Sequence, residues 1–417
     1  MKILVLNSGS SSQKACFYEV AADTPPTRPP APLWEGRIEW TGDKASMSVK
    51  TCQGSVQKEG LKLSSRKDFV QHLLHTLDVG PVRALTSLSD IDVVGHRVVH
   101  GGAHFEEPVI VTPEVRSAIA SVSTLAPLHI RAELEGMEII DNLLGPVPQV
   151  AVFDTGSHRQ MPLYAQTYPG PYDWFAKGIR RYGFHGINHE YCAARAAQLV
   201  GKEPRSLKKE PRSLKIVSCH LGNGCSVAAI QDGRSIDTTM GFTPLEGLAM
   251  GTRSGSVDPG ILIYLMREGK LGHEQIDQVL NHESGLLGIS GVSSDMRDIL
   301  AAMKQGVARA KLAFDIFVHR LRNAIGGMAA ALGGLDVLVF TAGVGENSAE
   351  MRAATCEQLE FLGLTLDPAL NERPILDCDI ATKDSPARIL VIRAEEDWAI
   401  ATECWKLTAS SLTSPDQ

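Results

Sequence analysis

The sequence lacks any CxxC pair, although it contains eight cysteines in 417 residues. The cysteines are scattered along the chain, and several of them lie within apolar runs. Paired spacing is typical of zinc sites, and a high density of cysteine in a short chain is typical of disulfide frameworks. We therefore expect neither feature, and we interpret the cysteines as reduced thiols.

Long apolar runs and an excess of basic residues are also missing. No run of about 18 apolar residues occurs, so we expect no membrane-spanning helix. The chain begins at once with the strand-like "KILVLN" rather than with a basic region and a cleavage site, so we expect no signal peptide and a cytoplasmic location. A formal net charge of −7 argues against nucleic acid as a partner.

A phosphate-binding loop of the GxxxxGK[ST] type is absent as well, but three other turns of small residues are present. They lie in "VLNSGSSSQKACFYEV" (5–20), "SCHLGNGCSVAAI" (218–230) and "FTAGVGENS" (340–348). Glycine lets backbone N–H groups converge on one point, and serine hydroxyls and Lys14 add donors, which suits phosphate oxygens. Ordinary hairpin turns are the alternative for the first two. Three such turns at strand ends favour a nucleotide ligand.

Strand-like and helical patterns alternate along the chain. "DIDVVGHRVV" (90–99) and "PQVAVFD" (148–154) are apolar and β-branched, whereas "EYCAARAAQLV" (190–200) and residues 306–332 have apolar residues at helical spacing. This alternation predicts an α/β fold.

Two internal similarities stand out. Residues 2–20 and 215–233 share a layout in which Lys-Ile opens an apolar strand, a polar residue follows, and a small-residue turn leads to a second strand. The polar residues are Asn7 and His220, and the layout predicts one supersecondary unit used twice.

Separately, "KEPRSLK" occurs in tandem at 202–208 and 209–215, which we interpret as a surface insertion without chemistry.

Several charged residues lie in an apolar or glycine-rich context. Arg97 and Arg253 are suited to clamp a phosphoryl group or a carboxylate, with a structural ion pair as the alternative. Asp154 ends an apolar strand, a favourable position for a magnesium or catalytic carboxylate, and Glu396 lies where a strand gives way to a helix. His185, between Phe184 and Gly186, is a further candidate for the site, with a packed structural histidine as the alternative. "DMR" (295–297) resembles a helix N-terminus, where capping is the alternative role.

These motifs together resemble the acetokinase family, within the acetate and sugar kinase, heat-shock chaperone and actin superfamily. The resemblance covers residue 1 to about residue 405 and rests on the following stretches: "LNSGSSSQK", "GHRVVHGG", "VAVFDT", "RRYGFHGINHEY", "CHLGNGCSV", "TTMGFTPLEGLAMGTRSG", "SGLLGISGVSSDMRDI" and "TAGVGENS". It implies two duplicated actin-like (ribonuclease H-like) α/β domains with the active site in the cleft between them. The N-terminal domain would comprise 1–155 plus about 396–417, and the C-terminal, nucleotide-binding domain would comprise 156–395.

The resemblance also implies roles for individual residues. Asn7 and Glu396 would hold Mg²⁺, with Mn²⁺ as an alternative ion. Asp154 would be the essential carboxylate, and His185 and Arg253 would stabilise the transition state. The substrate-binding residues would be Arg97, Val99, Leu128, His129, Phe184 and Pro244. The residues near the ATP or ADP co-substrate would be Ser12, Lys14, His220, Leu221, Gly222, Asn223, Gly224, Asp295, Met296, Arg297, Ala342, Gly343, Val344, Gly345, Glu346 and Asn347.

The implied reaction is reversible, Mg²⁺-dependent phosphoryl transfer between ATP and acetate, giving acetyl phosphate and ADP, in a homodimer. Transfer to propionate or butyrate is the close alternative. A non-enzymatic ATP-driven clamp is the alternative of another class, and it would need no carboxylate site. The chain departs from the family pattern after His129, where Ile130, Arg131 and Glu133 stand at the places of a usual Asn-Pro and a second Asn.

Overall fold

The computed structural model describes residues 1–9, 12–21, 25–26, 28–41, 44–62, 65–201 and 213–412. Ser10 and Ser11 of the first small-residue turn lie outside the described residues, as does most of the tandem repeat. The strands are β1 Lys2–Ser8, β2 Ser12–Glu19, β3 Trp34–Thr41, β4 Lys44–Thr51, β5 Val56–Leu61, β6 Val93–Val98, β7 Val109–Ile110, β8 Gln149–Phe153, β9 Lys215–Leu221, β10 Cys225–Gln231, β11 Arg234–Thr238, β12 Val337–Thr341, β13 Cys378–Asp379 and β14 Arg388–Val391.

The helices are α1 Arg66–His75, α2 Pro113–Ser121, α3 Pro127–Leu144, α4 Leu163–Gln166, α5 Asp173–Ala176, α6 Gly186–Leu199, α7 Pro259–Arg267, α8 His273–His282, α9 Gly285–Ser290, α10 Met296–Lys304, α11 Ala308–Leu332, α12 Ala342–Asn347, α13 Ala349–Cys356, α14 Pro368–Glu372 and α15 Glu396–Leu412. Helices and strands are interspersed along the chain, although β1–β5 and α7–α11 form uninterrupted runs of one type. Within the described ranges, none of these helices is long and apolar enough to cross a membrane.

The chain forms two compact units, one comprising Met1–Gly156 with Glu395–Gln417 and the other comprising Ser157–Ala394. The sheet of the first unit has the strand order β5-β4-β3-β2-β1-β6-β8-β7. Leu4 and Leu6 of β1 pack with Ile139 and Ile140 of α3 in its core, because alternate residues of a strand point to the same face. Burial of such aliphatic side chains stabilises the sheet by about 1.5–3 kcal/mol each.

The sheet of the second unit has the order β11-β10-β9-β12-β14-β13. Small residues of α6, among them Cys192 and Ala196, let the helix pack closely on Ile216 and Val339 of the sheet.

The two sheets share a five-strand arrangement. The order β3-β2-β1-β6-β8 in the first unit corresponds to β11-β10-β9-β12-β14 in the second, with the first three strands antiparallel and the last two parallel to the central strand. The duplicated α/β fold inferred from residues 2–20 and 215–233 is therefore confirmed.

One local prediction is wrong. "TAGVGEN" was expected to form a glycine loop, but β12 runs directly into helix α12. Ala342 makes the turn with a left-handed φ of 64°, and its N–H donates to Oε1 of Glu346 at 3.0 Å. The buried Arg352 donates from Nη1 to the carbonyls of Gly345 at 2.8 Å and Glu346 at 2.9 Å. These side-chain bonds from neighbouring residues outweigh the weak helix propensity of glycine.

Candidate active-site residues

Three polar side chains of the first unit lie on one rung of its sheet. Asn7 of β1 is paired with Lys14 of β2 on one side and with Arg97 of β6 on the other. Residues paired across adjacent strands point to the same face of a sheet. The register therefore brings Arg97 next to Asn7 and Lys14, which are about 80 to 90 residues earlier in the sequence.

Arg97 and Asp154 form a buried ion pair beside this rung. Nη2 of Arg97 donates to Oδ2 of Asp154 at 2.6 Å, with side-chain exposures of 15% and 1%. Nε of Arg97 is buried and makes no hydrogen bond within the described part of the chain. Because a guanidinium carries five N–H donors, Arg97 can bind an anion while Asp154 holds it in place.

The first turn of α15 brings acidic groups to the same rung. Lys14 donates from Nζ to Oδ2 of the buried Asp397 at 2.5 Å. Burial raises the pKa of the neighbouring Glu396 to about 7; the carboxylates of Asp154 and Asp397 add to this shift, whereas Arg97 and Lys14 oppose it. Glu396 therefore lies within electrostatic reach of both cations of the rung, Arg97 and Lys14. Asp397 was not singled out from the sequence, although it directly follows Glu396.

Glu133 is a second acidic group that the sequence showed only as a departure from the family pattern. Oε1 of this buried residue on α3 accepts the backbone N–H of Val99 at 3.0 Å, just beyond the end of β6. Burial raises the pKa of Glu133 to about 8, and the carboxylate of Asp154 adds to the shift against the opposing effects of the Val99 N–H and Arg97. Glu133 thus supports the strand that carries Arg97.

In the second unit, His185 and Arg253 both border the hairpin between β9 and β10. A Cβ placed on Gly224 would lie 3.4 Å from Nε2 of His185 and 3.5 Å from Nη1 of Arg253, so glycine leaves the space in front of both side chains open. His185 has a left-handed φ of 58° at the start of α6, and its ring stacks on His220 at 3.9 Å with an interplanar angle of 10°.

The glycine-rich loop that carries Arg253 is fixed from two sides. Gly251 N donates to the carbonyl of Asn223 at 3.1 Å, and Arg253 donates from Nη1 to the carbonyl of Pro244 at 3.0 Å. Glu246 of the same loop accepts from Nη2 of Arg181 at 2.7 Å and from the Tyr168 hydroxyl. Arg181, Tyr168 and Glu246 were missed from the sequence, because nothing local shows that they pair.

Apart from Ser12 and Lys14 of the first unit, the predicted nucleotide residues occupy three parts of the second unit. Gly222 N donates to Gly224 O at 3.0 Å and closes the hairpin turn. Asp295 caps α10 by accepting the N–H of Arg297 at 2.8 Å, and its carboxylate also binds the Arg297 guanidinium, so the capping role is confirmed. Glu346 is used by the fold, because Oε1 accepts from the backbone N–H groups of Ala342 and Ala394.

The predicted acyl-binding residues belong to both units. Val99, with His129 and Leu128 of α3, lies in the first unit, and Phe184 and Pro244 lie in the second. Val99 and Phe184 are buried. Their role in substrate binding stays a prediction.

The donor set of the first unit fits Mg²⁺. Within the described residues, no group of three or more His, Cys, Asp or Glu side chains could hold a metal ion by itself. Mg²⁺, however, needs only one or two protein oxygens when substrate phosphates and water complete its shell. Asn7 and Glu396 supply an amide oxygen and a carboxylate. Burial raises the pKa of Glu396 and the carboxylates of Asp154 and Asp397 add to the shift, so a cation there would favour its ionised form.

Comparison with solved structures gives the class of protein. The chain superposes on an acetate kinase from Porphyromonas gingivalis with a TM-score of 0.88 and 38% identity over 98% of this chain and 99% of that chain. It superposes on a propionate kinase from Francisella tularensis with a TM-score of 0.87 and 36% identity over 97% and 99%. The fold is therefore that of kinases with an actin-like fold.

The family model adds the particular relationship. The chain belongs to the acetokinase family, whose model matches residues 2–402. Curated relatives called acetate kinase include that of Nostoc sp., which is 57% identical over 98% of this chain and 99% of its own length. The chain is therefore a kinase that transfers phosphate to a carboxylate, with ATP or ADP as co-substrate.

Proposed function

We propose that this kinase transfers the γ-phosphoryl group of ATP to acetate, reversibly and with Mg²⁺, giving acetyl phosphate and ADP. The observation that carries the proposal is the Arg97–Asp154 pair, which presents a fixed, partly buried guanidinium beside Lys14 and Asn7. A guanidinium binds both oxygens of a carboxylate at once and so fixes its orientation, which the ammonium group of a lysine does not do. The 57% identity to a relative named acetate kinase supports acetate as the acceptor.

Each set of residues has a part in this proposal. In the first unit, Arg97 binds the acyl carboxylate, Asp154 orients Arg97, and Lys14 attracts phosphate oxygens. Asn7 and Glu396 would hold Mg²⁺, which neutralises charge on the phosphate oxygens when bound. The second unit, Ser157–Ala394, is assigned to the nucleotide, and its His185 and Arg253 stabilise the charge that develops on the transferred phosphoryl group.

No general base is needed in the direction that forms acetyl phosphate. A carboxylic acid with a pKa of roughly 4 is ionised at neutral pH, so the acceptor is already a nucleophile. We therefore assign to Asp154 an orienting role rather than that of a phosphorylated nucleophile. Direct in-line transfer then needs only positioning and electrostatic stabilisation.

A second candidate function is propionate kinase activity, because a propionate kinase superposes almost as well as an acetate kinase does. A coupled assay of ADP release with acetate, propionate and butyrate separates the two. We expect kcat/KM to be highest for acetate, moderately lower for propionate and lowest for butyrate. ADP release that does not depend on any of the three carboxylic acids would instead indicate the ATP-driven clamp, which needs no carboxylate site.

The proposal includes a homodimer. Helix α7 has no buried residue, and Ile261, Ile263, Tyr264 and Met266 are between 46% and 63% exposed. An apolar helix of this kind is typical of a surface that a partner covers, and the family makes a second copy of this chain the expected partner. Light scattering should give twice the chain mass, and Ile263→Glu together with Tyr264→Glu should give the monomer mass. The proposal also places the enzyme in the cytoplasm, without nucleic acid or membrane partners, which agrees with its eight free thiols.

A further inference from the structure

A chain of hydrogen bonds runs behind His185, through groups that the proposed reaction does not use. Oγ of Ser218 lies 2.9 Å from Nδ1 of His189, and Nε2 of His189 lies 2.8 Å from Oγ of Ser226. The same Ser226 hydroxyl lies 2.9 Å from Nδ1 of His185. Ser218, His189 and Ser226 are all at most 1% exposed.

The protons in this chain are constrained. Burial lowers the pKa of His189 well below its usual value, and the nearby rings of His158 and His220 add to the effect, so His189 is neutral and carries one N–H. A serine hydroxyl donates one hydrogen bond only. If Nε2 of His189 donates to Ser226, the Ser226 hydroxyl is left to donate to Nδ1 of His185, and Ser218 donates to Nδ1 of His189.

We propose that Ser226 and His189 are positioning residues that hold neutral His185 in the tautomer with its proton on Nε2. In this arrangement the two serine hydroxyls and the His189 N–H each meet an acceptor, as they also do when all three bonds are reversed, but only this one places an N–H at Nε2, on the Gly224 side next to Arg253. A donor there is what developing charge on a phosphoryl oxygen needs. The opposite arrangement puts the proton on Nδ1 and leaves a lone pair at Nε2. The inference rests on the proposed function in one respect, namely that the Nε2–H of His185 binds a phosphoryl oxygen.

The test is ¹⁵N NMR of the enzyme labelled at histidine, with the His185 signals assigned from their loss in His185→Gln. In the wild type we expect Nδ1 in the range of an unprotonated nitrogen and Nε2 in the range of a protonated one. Ser226→Ala and His189→Phe should mix or reverse the tautomers and lower kcat at least about tenfold, with little change in KM for ATP. His189→Gln, which keeps an N–H near the Nε2 position, should restore both the spectrum and kcat in large part.

Ser235→Ala is the matched control, since it removes another buried serine–histidine bond, 2.8 Å from Nδ1 of His158. It should leave the His185 signals unchanged. Identical ¹⁵N chemical shifts of His185 in wild type and Ser226→Ala would overturn the inference. So would a change of the His185 shifts in Ser235→Ala as large as the change in Ser226→Ala. If His189→Phe does not fold, Ser226→Ala alone decides. Failure of the proposed function is distinguishable, because it would appear as inactive wild-type enzyme with an unchanged histidine spectrum.

Discussion

Asp154 is tied to β6 twice, once by its side chain and once by its backbone. Its carboxylate accepts from Arg97 at 2.6 Å, and its N–H donates to the carbonyl of Val98 at 2.8 Å. The second bond continues the parallel pairing of β6 and β8 by one residue beyond the strand end. The carboxylate is therefore placed by the sheet and not by a free loop.

Asp154→Ala should lower both activity and stability. Truncating one partner of a buried ion pair leaves an uncompensated charge and costs about 3 kcal/mol of unfolding free energy. Urea denaturation measures this loss. Asp315→Ala is the control, because it removes an exposed pair with Lys311 at 2.5 Å that should contribute no more than about 1 kcal/mol. Equal losses in the two variants would contradict the assignment.

Glu133 should make stability depend on pH. Burial raises the folded-state pKa of Glu133 to about 8, above that of an unfolded glutamate, so the folded chain holds a proton that unfolding releases. Its contribution is full below pH of about 4.5 and is lost as pH rises towards 8, at up to about 1.4 kcal/mol per pH unit. Glu133→Gln should remove this slope.

The groups that face Glu133 are Arg97, Asp154, Arg66 and the Val99 N–H. Glu135→Gln, two residues further along α3 and half-exposed, is the control and should keep the wild-type slope. Denaturation at several pH values compares the three proteins. A slope that survives in Glu133→Gln would show that another group is responsible.

Val99→Ala should narrow the preference for acetate over propionate. In an apolar pocket, one methylene of the substrate changes the transition-state free energy by about 1–3 kcal/mol. A smaller side chain at position 99 leaves room for that methylene, so the difference between acetate and propionate should decrease. The measurement is kcat/KM for acetate, propionate and butyrate. Val98→Ala removes the same methyl groups from the buried neighbour and should lower stability without changing the ratios. Unchanged ratios in Val99→Ala would place the acyl pocket elsewhere.

Arg253→Ala should lose turnover far more than ATP binding, because its charge is needed mainly when the phosphoryl group is in transit. Removing one such donor costs on the order of 10²–10³ in kcat. Steady-state kinetics with varied ATP separates kcat from KM. Arg309→Ala is the control, since Arg309 also donates to backbone carbonyls in the second unit but borders neither Gly224 nor His185. A turnover within about threefold of wild type would remove Arg253 from the mechanism.

Deleting one copy of "KEPRSLK" should leave activity and melting temperature nearly intact. The copies are identical, so either deletion leaves Ser-Leu in front of β9 and Lys as its first residue. The bonds from Ser213 and Leu214 to Asp232, and from Lys215 N to Asp336 at 2.9 Å, can then re-form. Turnover and circular dichroism together provide the check, and a folded but inactive deletion would assign the repeat a function.

Local pattern predicted the strands, the hairpin turns and the position of Asp154 at a strand end, because each of these depends on neighbours in the sequence. Pairing at long range could not be predicted in the same way. Arg181 and Glu246 are 65 residues apart, and no periodicity links them. The helix at Ala342–Asn347 was missed for a different reason, since helix propensity does not include the side-chain bonds by which the nearby buried Arg352 holds its carbonyls.

The rung that holds Lys14, Asn7 and Arg97 has a counterpart in the second unit, where Ser226, His220 and Thr341 are paired across β10, β9 and β12. The two copies of the unit thus keep the same backbone positions in their sheets and differ in the side chain that each position carries. Because side chains alternate along a strand, one residue inserted between Lys2 and Asn7 would turn Asn7 to the opposite face. Evolution of this scaffold should therefore tolerate substitution on the rung far better than a change in the length of its central strands.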